Sequence, residues 1–293
     1  GQIRTNFSKK RGSSDSHKEE TLQNLTNLGT IRTIMDRFGF TFSKSLGQNF
    51  IVNPSVCPKI AELGGAESEV GVLEIGAGFG VLTNELAARA EKVVVVELDS
   101  RLLPVLSYTL SDHKNVKVVN QDILKTDLPA LLAEEFGEME VVVCANLPYY
   151  ITSPILMMLL ESRLPVKSIT VMVQKEAGER ICAVMPSRAC GAVTAAVRYY
   201  SEPQILFPVS RGSFYPSPNV DSMVVRLDVK KELPLEGEAE KRLFRVVKAA
   251  FGQRRKTLVN TLSSGLKIEK ARAAEAIAEA GLKPTVRAEE LSL

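Results

Sequence analysis

The stretch that decides the fold is Val70-Gly71-Val72-Leu73-Glu74-Ile75-Gly76-Ala77-Gly78-Phe79-Gly80. Its first six residues are mostly apolar and have the length of a buried strand, and residues 81–90 have a helical pattern. The glycines between strand and helix let a ligand approach the backbone closely. The sequence therefore predicts a strand, turn and helix that form a cradle for a nucleotide-like ligand, although one such turn is weak evidence by itself.

The spacing of these glycines separates classes of cofactor. It is G-x-G-x-G, which differs from the G-x-G-x-x-G of dinucleotide-binding enzymes, and it lacks the GK[ST] of a phosphate-binding loop. Glu97 follows the next predicted strand, residues 93–96, about 20 residues past the glycines, where a carboxylate can bind ribose hydroxyls. A carboxylate there would also repel a phosphate. Together these features favour a nucleoside-type cofactor with a free ribose, such as S-adenosylmethionine. The alternative is that Glu97 only caps a helix.

A second motif, Asn146-Leu147-Pro148-Tyr149, follows the apolar run 141–145, which is typical of a buried strand. In open α/β sheets, ligands bind beyond the carboxyl ends of the strands. The side-chain oxygen of Asn146 and a backbone carbonyl could accept both hydrogens of an adenine amino group and direct its lone pair towards an electrophile. Tyr149 could stack on the same base, once that base has left its own stack. The alternative is a structural turn with Asn146 as a helix cap and Tyr149 in the core.

Three further segments carry polar or aromatic residues that could reach the same site. Asp122 follows the third predicted strand, residues 116–119, and could bind an adenine amine or cap a turn. Residues 44–51 offer two side-chain amides and apolar cover, but could equally form a structured turn. Residues 214–222 form a loop that presents aromatic rings and is stiffened by two prolines.

Strands and helices alternate along residues 26–230, which indicates an α/β fold with a doubly wound sheet. Besides those already named, strands are predicted at 169–173, at Tyr199 and Tyr200 continuing through 204–209, and at 223–229. Helices are predicted at 30–38, 101–110, 129–136 and 154–160, and another opens at 174–176.

We predict three parts in the chain: a polar tail (1–25), an α/β domain (26–230) and a helical C-terminal domain (231–293). The boundary lies in the charged segment 230–240, where the composition changes. Seven cations and no acid fall within residues 241–256. We expect this cluster to bind RNA phosphates, and five of its members in particular: Arg245, Lys248, Arg254, Arg255 and Lys256. The alternative is a solvated helix face.

The composition excludes several classes of function. The net charge of +3 is too small to indicate a partner unless it is clustered. The four cysteines have no paired spacing and there are only two histidines, so we expect no metal site, no disulfide framework and no histidine-based catalysis. No apolar run approaches the ~18 residues of a membrane-spanning helix, and no signal-peptide pattern opens the chain. We therefore expect a cytoplasmic protein without membrane contact.

Taken together, these motifs resemble those of the ribosomal RNA adenine dimethyltransferases. The similarity runs from about residue 30 to 263 and includes residues 46–50, 74–80, 97–99, 121–122, 146–149, 174–176, 214–222 and 250–258. Each motif is a modest signal, but in this order they are highly specific. Within the family, the chain is most similar to the members that dimethylate two adjacent adenosines near the 3′ end of small-subunit (16S) rRNA. It departs from them at Ala77, where many relatives have proline, and in the tail, which has no counterpart.

The resemblance implies a seven-stranded Rossmann-like methyltransferase sheet whose last strand is antiparallel, followed by a small helical domain. It assigns S-adenosylmethionine binding to Asn49, Ile51, Gly76, Gly78, Glu97, Asp122 and Asn146. It assigns the target base to Asn146, the Leu147 carbonyl and Tyr149, with Phe214 on the other face of the base. The implied partner is small-subunit rRNA within a pre-ribosomal 30S particle, and we expect the enzyme to act as a monomer.

Four rival functions share part of this pattern. Antibiotic-resistance methyltransferases of large-subunit rRNA have most of the motifs, and the cluster at 241–256 favours the small-subunit enzyme by resemblance alone. That cluster also argues against a small-molecule methyltransferase. A non-catalytic nucleic-acid-binding descendant of the fold would have no reason to keep Glu97, Asp122 and Asn146 together. The glycine spacing disfavours a dehydrogenase.

Overall fold

The structure, a computed structural model, describes residues 24–293. The predicted polar tail therefore lies outside the described residues, apart from Asn24 and Leu25. The strands are β1 (Phe50–Ile51), β2 (Val70–Ile75), β3 (Lys92–Glu97), β4 (Val116–Asn120), β5 (Glu140–Asn146), β6 (Ser168–Gln174), β7 (Ser201–Val209), β8 (Phe214–Tyr215) and β9 (Ser222–Val229).

The helices cover both faces of the sheet and continue into the C-terminal part. They are α1 (Leu28–Phe38), α2 (Val56–Leu63), α3 (Val81–Arg89), α4 (Leu102–Thr109), α5 (Leu128–Phe136), α6 (Thr152–Glu161), α7 (Lys175–Ile181), α8 (Ala192–Tyr200), α9 (Gly237–Ala250), α10 (Leu258–Leu266) and α11 (Lys270–Glu279). Within residues 24–293, none of these helices combines the length and the apolar character needed to cross a bilayer.

A seven-stranded sheet in the order β4-β3-β2-β5-β6-β9-β7 forms the centre of the molecule. Strands β2 to β6 run parallel to one another, β9 runs antiparallel to β6, and β7 runs antiparallel to β9. The predicted mostly parallel sheet with an antiparallel last strand is confirmed. Strand β2 is buried along its whole length, because helices pack against both faces of the sheet.

The strand order also fixes where a ligand can bind. The chain moves outwards in one direction through β2, β3 and β4, and returns to the other side of β2 with β5. The crevice beyond the carboxyl ends of β2 and β5 is therefore the topological switch point of the sheet. A two-stranded ribbon of β1 and β8 pairs Phe50 with Tyr215 and Ile51 with Phe214.

One predicted strand was wrong at its start. Tyr199 and Tyr200 end helix α8, and β7 begins only at Ser201. The helix opens at Gly191, whose N–H donates to the Thr194 hydroxyl at 3.0 Å. Both tyrosine rings pack against Phe244 of α9, with ring centroids 5.2 and 5.3 Å away. This aromatic packing between two helices outweighs the preference of tyrosine for strands.

The C-terminal helices contribute to two separate apolar cores. Phe244 and Val247 of α9 pack in the large core that contains α8 and the sheet. Helices α10 and α11 instead form a small core with the end of α9, through Ala250, Leu262 and Ile277 among others. The first helix of the predicted C-terminal domain is thus shared with the α/β part. The domain boundary at residues 230 and 231 stays a prediction.

Candidate active site

A cavity enclosing about 1100 Å³ of empty space, part of it open to solvent, lies beyond the carboxyl ends of β2, β3 and β5. The structure brings together around it every residue predicted to bind the cofactor or the target base. They are Asn49, Ile51, Gly76, Gly78, Glu97, Asp122, Asn146, Leu147, Tyr149 and Phe214. The residues come from the carboxyl ends of β3 and β5, from the loops that follow the strands, and from the β1–β8 ribbon and the residues beside it.

The glycine turn forms one wall of this cavity. Gly76 and Gly78 have φ of 71° and 55°, in the left-handed region that favours glycine. A Cβ built on Gly76 would meet no atom within 4 Å, whereas one on Gly78 would lie 3.1 Å from the ring of Phe50. The space over Gly76 is therefore open, and a flat nucleoside-like group could lie directly against the backbone there.

Glu97 supports this turn from the end of β3. Its Oε1 accepts a hydrogen bond from the Ala77 N–H at 2.9 Å, and its Oε2 accepts one from the Asp99 N–H at 3.1 Å. The side chain is buried, and burial raises the pKa of Glu97, while the N–H donors of Ala77 and Asp99 act to lower it. Each oxygen keeps a further lone pair that a ribose hydroxyl could use. Glu97 thus shapes the turn and remains a candidate ligand for a ribose.

A network around Asp99 was not predicted from the sequence. Gln48 Nε2 donates to Asp99 Oδ2 at 2.8 Å, and Arg101 Nη2 forms a 2.7 Å ion pair with the same oxygen. Arg101 also donates to the Thr41 carbonyl at 3.1 Å. Burial acts to raise the pKa of Asp99, but the hydrogen bonds from Arg101 and Gln48 outweigh it and hold the pKa below its ordinary value. The network links the segment before β1 to the residues that follow β3.

Asp122 and Asn49 both line the cavity, and both form local hydrogen bonds. Asp122 Oδ1 accepts from the Leu124 N–H at 3.0 Å, at the start of a single 3-10 turn. This is the capping role that the sequence left open, and Asp122 also lines the cavity. Asn49 Nδ2 donates to the Gly47 carbonyl at 3.3 Å. Both side chains are held by local bonds and still have unused acceptor oxygens.

The polar groups of the motif at the end of β5 form fewer hydrogen bonds within the protein than those of the cofactor residues. Within residues 24–293, no hydrogen bond uses the side-chain amide of Asn146 or the carbonyl of Leu147. Tyr149 follows in a 3-10 turn, and its hydroxyl lies 2.5 Å from the Ser222 Oγ. Burial raises the pKa of Tyr149, and the Ser222 contact acts to lower it. The predicted helix cap is not seen, because neither the 3-10 turn nor α6 has a side-chain cap.

The five cations predicted to bind RNA do not line the cavity. Arg254, Arg255 and Lys256 are exposed in the turn between α9 and α10, where helix had been predicted. Arg254 Nη2 donates to the Arg188 carbonyl at 3.3 Å. Arg245 and Lys248 lie on α9, and Lys248 Nζ pairs with Glu161 at 3.1 Å. The cluster is therefore split between a helix and a turn, and its role in RNA binding stays a prediction.

Glu74 is a buried carboxyl next to the glycine turn, and its protonation state was not considered from the sequence. It is only 1% exposed, and its carboxylate accepts a hydrogen bond from the Thr83 hydroxyl. Burial raises the pKa of Glu74 to about 8, although the Thr83 bond acts to lower it. No group of three or more His, Cys, Asp or Glu residues that could hold a metal ion occurs in the described part of the chain.

Comparison with known proteins agrees with this geometry. A model of the family described as "Ribosomal RNA adenine dimethylase" matches residues 39–292. "Ribosomal RNA small subunit methyltransferase A" of Geobacillus thermodenitrificans is 46% identical over 269 residues, which cover 90% of this chain and 92% of that protein. The protein with the same name from Shouchella clausii is 47% identical over 262 residues, with 88% of each chain covered.

Two solved structures are similar to most of the chain. A dimethyladenosine transferase from Plasmodium falciparum superposes with a TM-score of 0.67 at 26% identity, covering 83% of this chain and 93% of the other. The 23S rRNA methyltransferase ErmE superposes with a TM-score of 0.60 at 30% identity, covering 83% of this chain and 96% of the other.

Proposed function

Since the chain belongs to the ribosomal RNA adenine dimethylase family, we propose that it dimethylates the exocyclic amines of two adjacent adenosines near the 3′ end of small-subunit (16S) rRNA. The methyl donor is S-adenosylmethionine. Relatives named for the small subunit reach 46% and 47% identity, against 30% for the large-subunit enzyme ErmE, which supports the small-subunit substrate. We place the reaction in the cytoplasm, on a pre-ribosomal 30S particle, with the enzyme acting as a monomer.

The cofactor half of the cavity fits S-adenosylmethionine. The open space over Gly76 would let part of the cofactor lie against the backbone. Glu97 would accept hydrogen bonds from the two ribose hydroxyls. Asp122 would accept from the adenine amine of the cofactor, and Asn49 and Ile51 would cover it from the ribbon side. When bound there, the cofactor supplies an electrophilic methyl group. The residues of the chain only have to hold the second reactant in line with it.

The unpaired acceptors at Asn146 and Leu147 are the observation that carries the proposal. An exocyclic amine has two hydrogens, and these two oxygens would accept one each. The lone pair of the nitrogen would then be drawn out of conjugation with the ring and could attack the methyl group. Tyr149 would stack on one face of the base and Phe214 on the other, in place of the stacking that the base loses on leaving its helix.

The site needs no strong base. Once the amine nitrogen has formed its bond to the methyl group, it is acidic, and water can take its proton. The histidine in the described residues, His113, is bonded to Asn84 at 2.7 Å and is absent from the cavity lining. A second transfer requires that a monomethylated amine fits between the same two acceptors. One hydrogen then remains to be bound, and the first methyl group must point towards open space.

The test is transfer of labelled methyl from S-adenosylmethionine to small-subunit particles from cells that lack the enzyme, followed by mapping of the modified bases. We expect label on two adjacent adenosines near the 3′ end and none on large-subunit particles treated in parallel. Label on large-subunit rRNA alone would assign the chain to the other branch of the family. Absence of label on either particle, together with binding of the cofactor, would favour a non-catalytic binding protein.

The contribution of the basic turn is tested separately. Reversal of Arg254, Arg255 and Lys256 to Glu should weaken binding to the particle and flatten its salt dependence, because each lost phosphate contact lowers the log–log slope by about 0.9 for a duplex. Reversal of three other exposed lysines, Lys114, Lys270 and Lys283, is the matched control for net charge. An equal change in both triple variants would mean that only overall charge matters.

A further inference from the structure

A second groove lies directly beside the active-site cavity. It encloses about 960 Å³ of empty space, part of which is open solvent. Its walls come from the start of α2, the end of β7 and the start of β9. Its lining includes Asn53, Lys59, Lys175, Phe207, Asp221 and Ser222. None of them belongs to the residues assigned above to the cofactor or to the target base.

The groove and the active site share one thin wall. Ser222 lines the groove, and its hydroxyl contacts the hydroxyl of Tyr149, which lines the active-site cavity. Ser213 lines the groove as well, and it immediately precedes Phe214, the other aromatic residue assigned above to the target base. The Ser213 hydroxyl accepts from Asn53 Nδ2 at 3.1 Å, which fixes this part of the wall. The active-site cavity and the groove therefore lie on either side of the Tyr149–Ser222 contact.

The groove contains two lysines that form no salt bridge within the described residues. Lys59 and Lys175 are exposed, and neither forms a salt bridge with an acid among residues 24–293. The nearby acid, Asp221, is already bound by the backbone N–H of Arg211 at 2.9 Å and by its Nε at 3.2 Å. Lys175 acts on Asp221 only through its charge, so among the described residues neither ammonium group is held in a salt bridge.

The groove also has an aromatic surface. Phe207 is partly buried, and Lys59 Nζ lies 5.4 Å from the centre of its ring. A cation beside an aromatic ring is the combination with which proteins bind single-stranded nucleic acids, because the ring stacks on a base and the cation contacts the phosphate. Asn53 and the serine hydroxyls add hydrogen-bonding groups for sugar or base edges.

We propose that this groove binds the nucleotide next to the adenosine being methylated. Its base packs against Phe207 and its phosphate contacts Lys59 and Lys175. The inference rests on the proposed function, since a substrate with two adjacent target adenosines must place one of them outside the cavity while the other reacts. The groove is the space on the far side of the Tyr149–Ser222 and Ser213–Phe214 wall, and it has the chemistry that a nucleotide requires.

The first test compares two short single-stranded RNAs in equilibrium binding with S-adenosylhomocysteine present. One contains both adenosines, and the other has an abasic site in place of the neighbour. The wild-type protein should bind the abasic RNA about tenfold more weakly, the size of effect expected for one aromatic–base stack. In Phe207→Ala this difference should disappear. Equal affinity of the wild type for both RNAs, or no measurable binding of either, would overturn the proposal.

A second test leaves the partly buried Phe207 ring unchanged and replaces only exposed residues. Lys59→Glu combined with Lys175→Glu should raise the KM for the small-subunit particle several-fold and lower the salt slope, with the affinity for the cofactor unchanged. The control is Lys114→Glu combined with Lys283→Glu, two exposed lysines remote from the groove. An equal KM in both double variants would overturn the groove. Methyl transfer by the wild type tests the proposed function on its own, so failure of the groove leaves that function standing.

Discussion

The two halves of the cavity differ in how their polar groups are occupied. In the cofactor half, Glu97, Asp99 and Asp122 each accept hydrogen bonds from the protein itself. In the base half, no hydrogen bond within the described residues uses the amide of Asn146 or the carbonyl of Leu147. The cofactor half is thus organised before any ligand arrives. In the base half, the two acceptors are free to bind a substrate amine, which must be bound once for each of the two methyl transfers.

This difference predicts different consequences of substitution. Removal of a carboxylate from the cofactor half breaks bonds within the protein as well as a bond to the ligand. Removal of an acceptor from the base half breaks nothing in the folded chain, so its effect should be confined to the reaction.

Asn146→Ala should reduce the rate of methyl transfer by about a hundredfold to a thousandfold, the range seen when one group that stabilises the transition state is removed. The melting temperature should change little, because the Asn146 amide supports no other residue among those described. Single-turnover transfer and thermal unfolding measure the two quantities. Asn24→Ala, at an exposed position outside the motifs of the site, is the control. A large loss of stability in Asn146→Ala would mean that the base half, like the cofactor half, contributes to the fold.

Glu97→Ala should weaken binding of the cofactor by roughly tenfold to a hundredfold or more, since a hydrogen bond to a charged acceptor is worth about 1.5–3 kcal/mol. It should also lower the melting temperature, because the N–H groups of Ala77 and Asp99 lose their acceptor. RNA binding should be nearly intact. Calorimetry with S-adenosylhomocysteine gives the affinity. If the affinity is unchanged, Glu97 only supports the turn and does not contact the ribose.

Tyr149→Ala should slow transfer by roughly tenfold to a hundredfold, because aromatic–base stacking is worth about 1–3 kcal/mol. Tyr149→Phe keeps the ring and should retain most of the activity. Tyr149→Phe should, however, lower the stability of the fold, because it leaves the buried Ser222 hydroxyl without its hydrogen-bond partner. The double variant Tyr149→Phe with Ser222→Ala should therefore be as stable as the wild type or nearly so. If Tyr149→Phe is as inactive as Tyr149→Ala, the hydroxyl rather than the ring carries the role.

Local signals in the sequence predicted the doubly wound α/β sheet, whereas the antiparallel last strand and most of the site residues are implied by the resemblance to a known family. Valine-rich runs identify buried strands, and the strand order of such folds places the residues after each strand at one edge. The sequence could not predict the contact of Gln48 with Asp99, which are 51 positions apart, because one sequence contains no information on such pairings. Helix α8 was missed since two tyrosines favour a strand locally. The split of the basic cluster depends on where α9 ends, which is set by tertiary packing.

Glu74 also lines the cofactor half of the cavity, and we expect its protonation to affect stability. Its folded pKa of about 8 exceeds the ordinary value of 4.5, so the folded protein holds a proton that the unfolded chain releases between these values. The free energy of unfolding should therefore be highest below pH 4.5 as far as this group is concerned. It should fall by about 1.4 kcal/mol per pH unit as the pH rises towards 8, and level off above.

Glu74→Gln keeps an acceptor for the Thr83 hydroxyl and has no charge to bury, so it should remove this slope. Denaturant unfolding at pH 6, 7 and 8 should show a stability difference between variant and wild type that grows with pH in favour of the variant. Glu67→Gln, at an exposed position before β2, should follow the wild type at each pH. A constant difference across the series would mean that Glu74 is ionised in the folded protein. In that case, the cofactor half would contain a buried negative charge beneath the glycine turn, and it would attract the sulfonium centre of the cofactor directly.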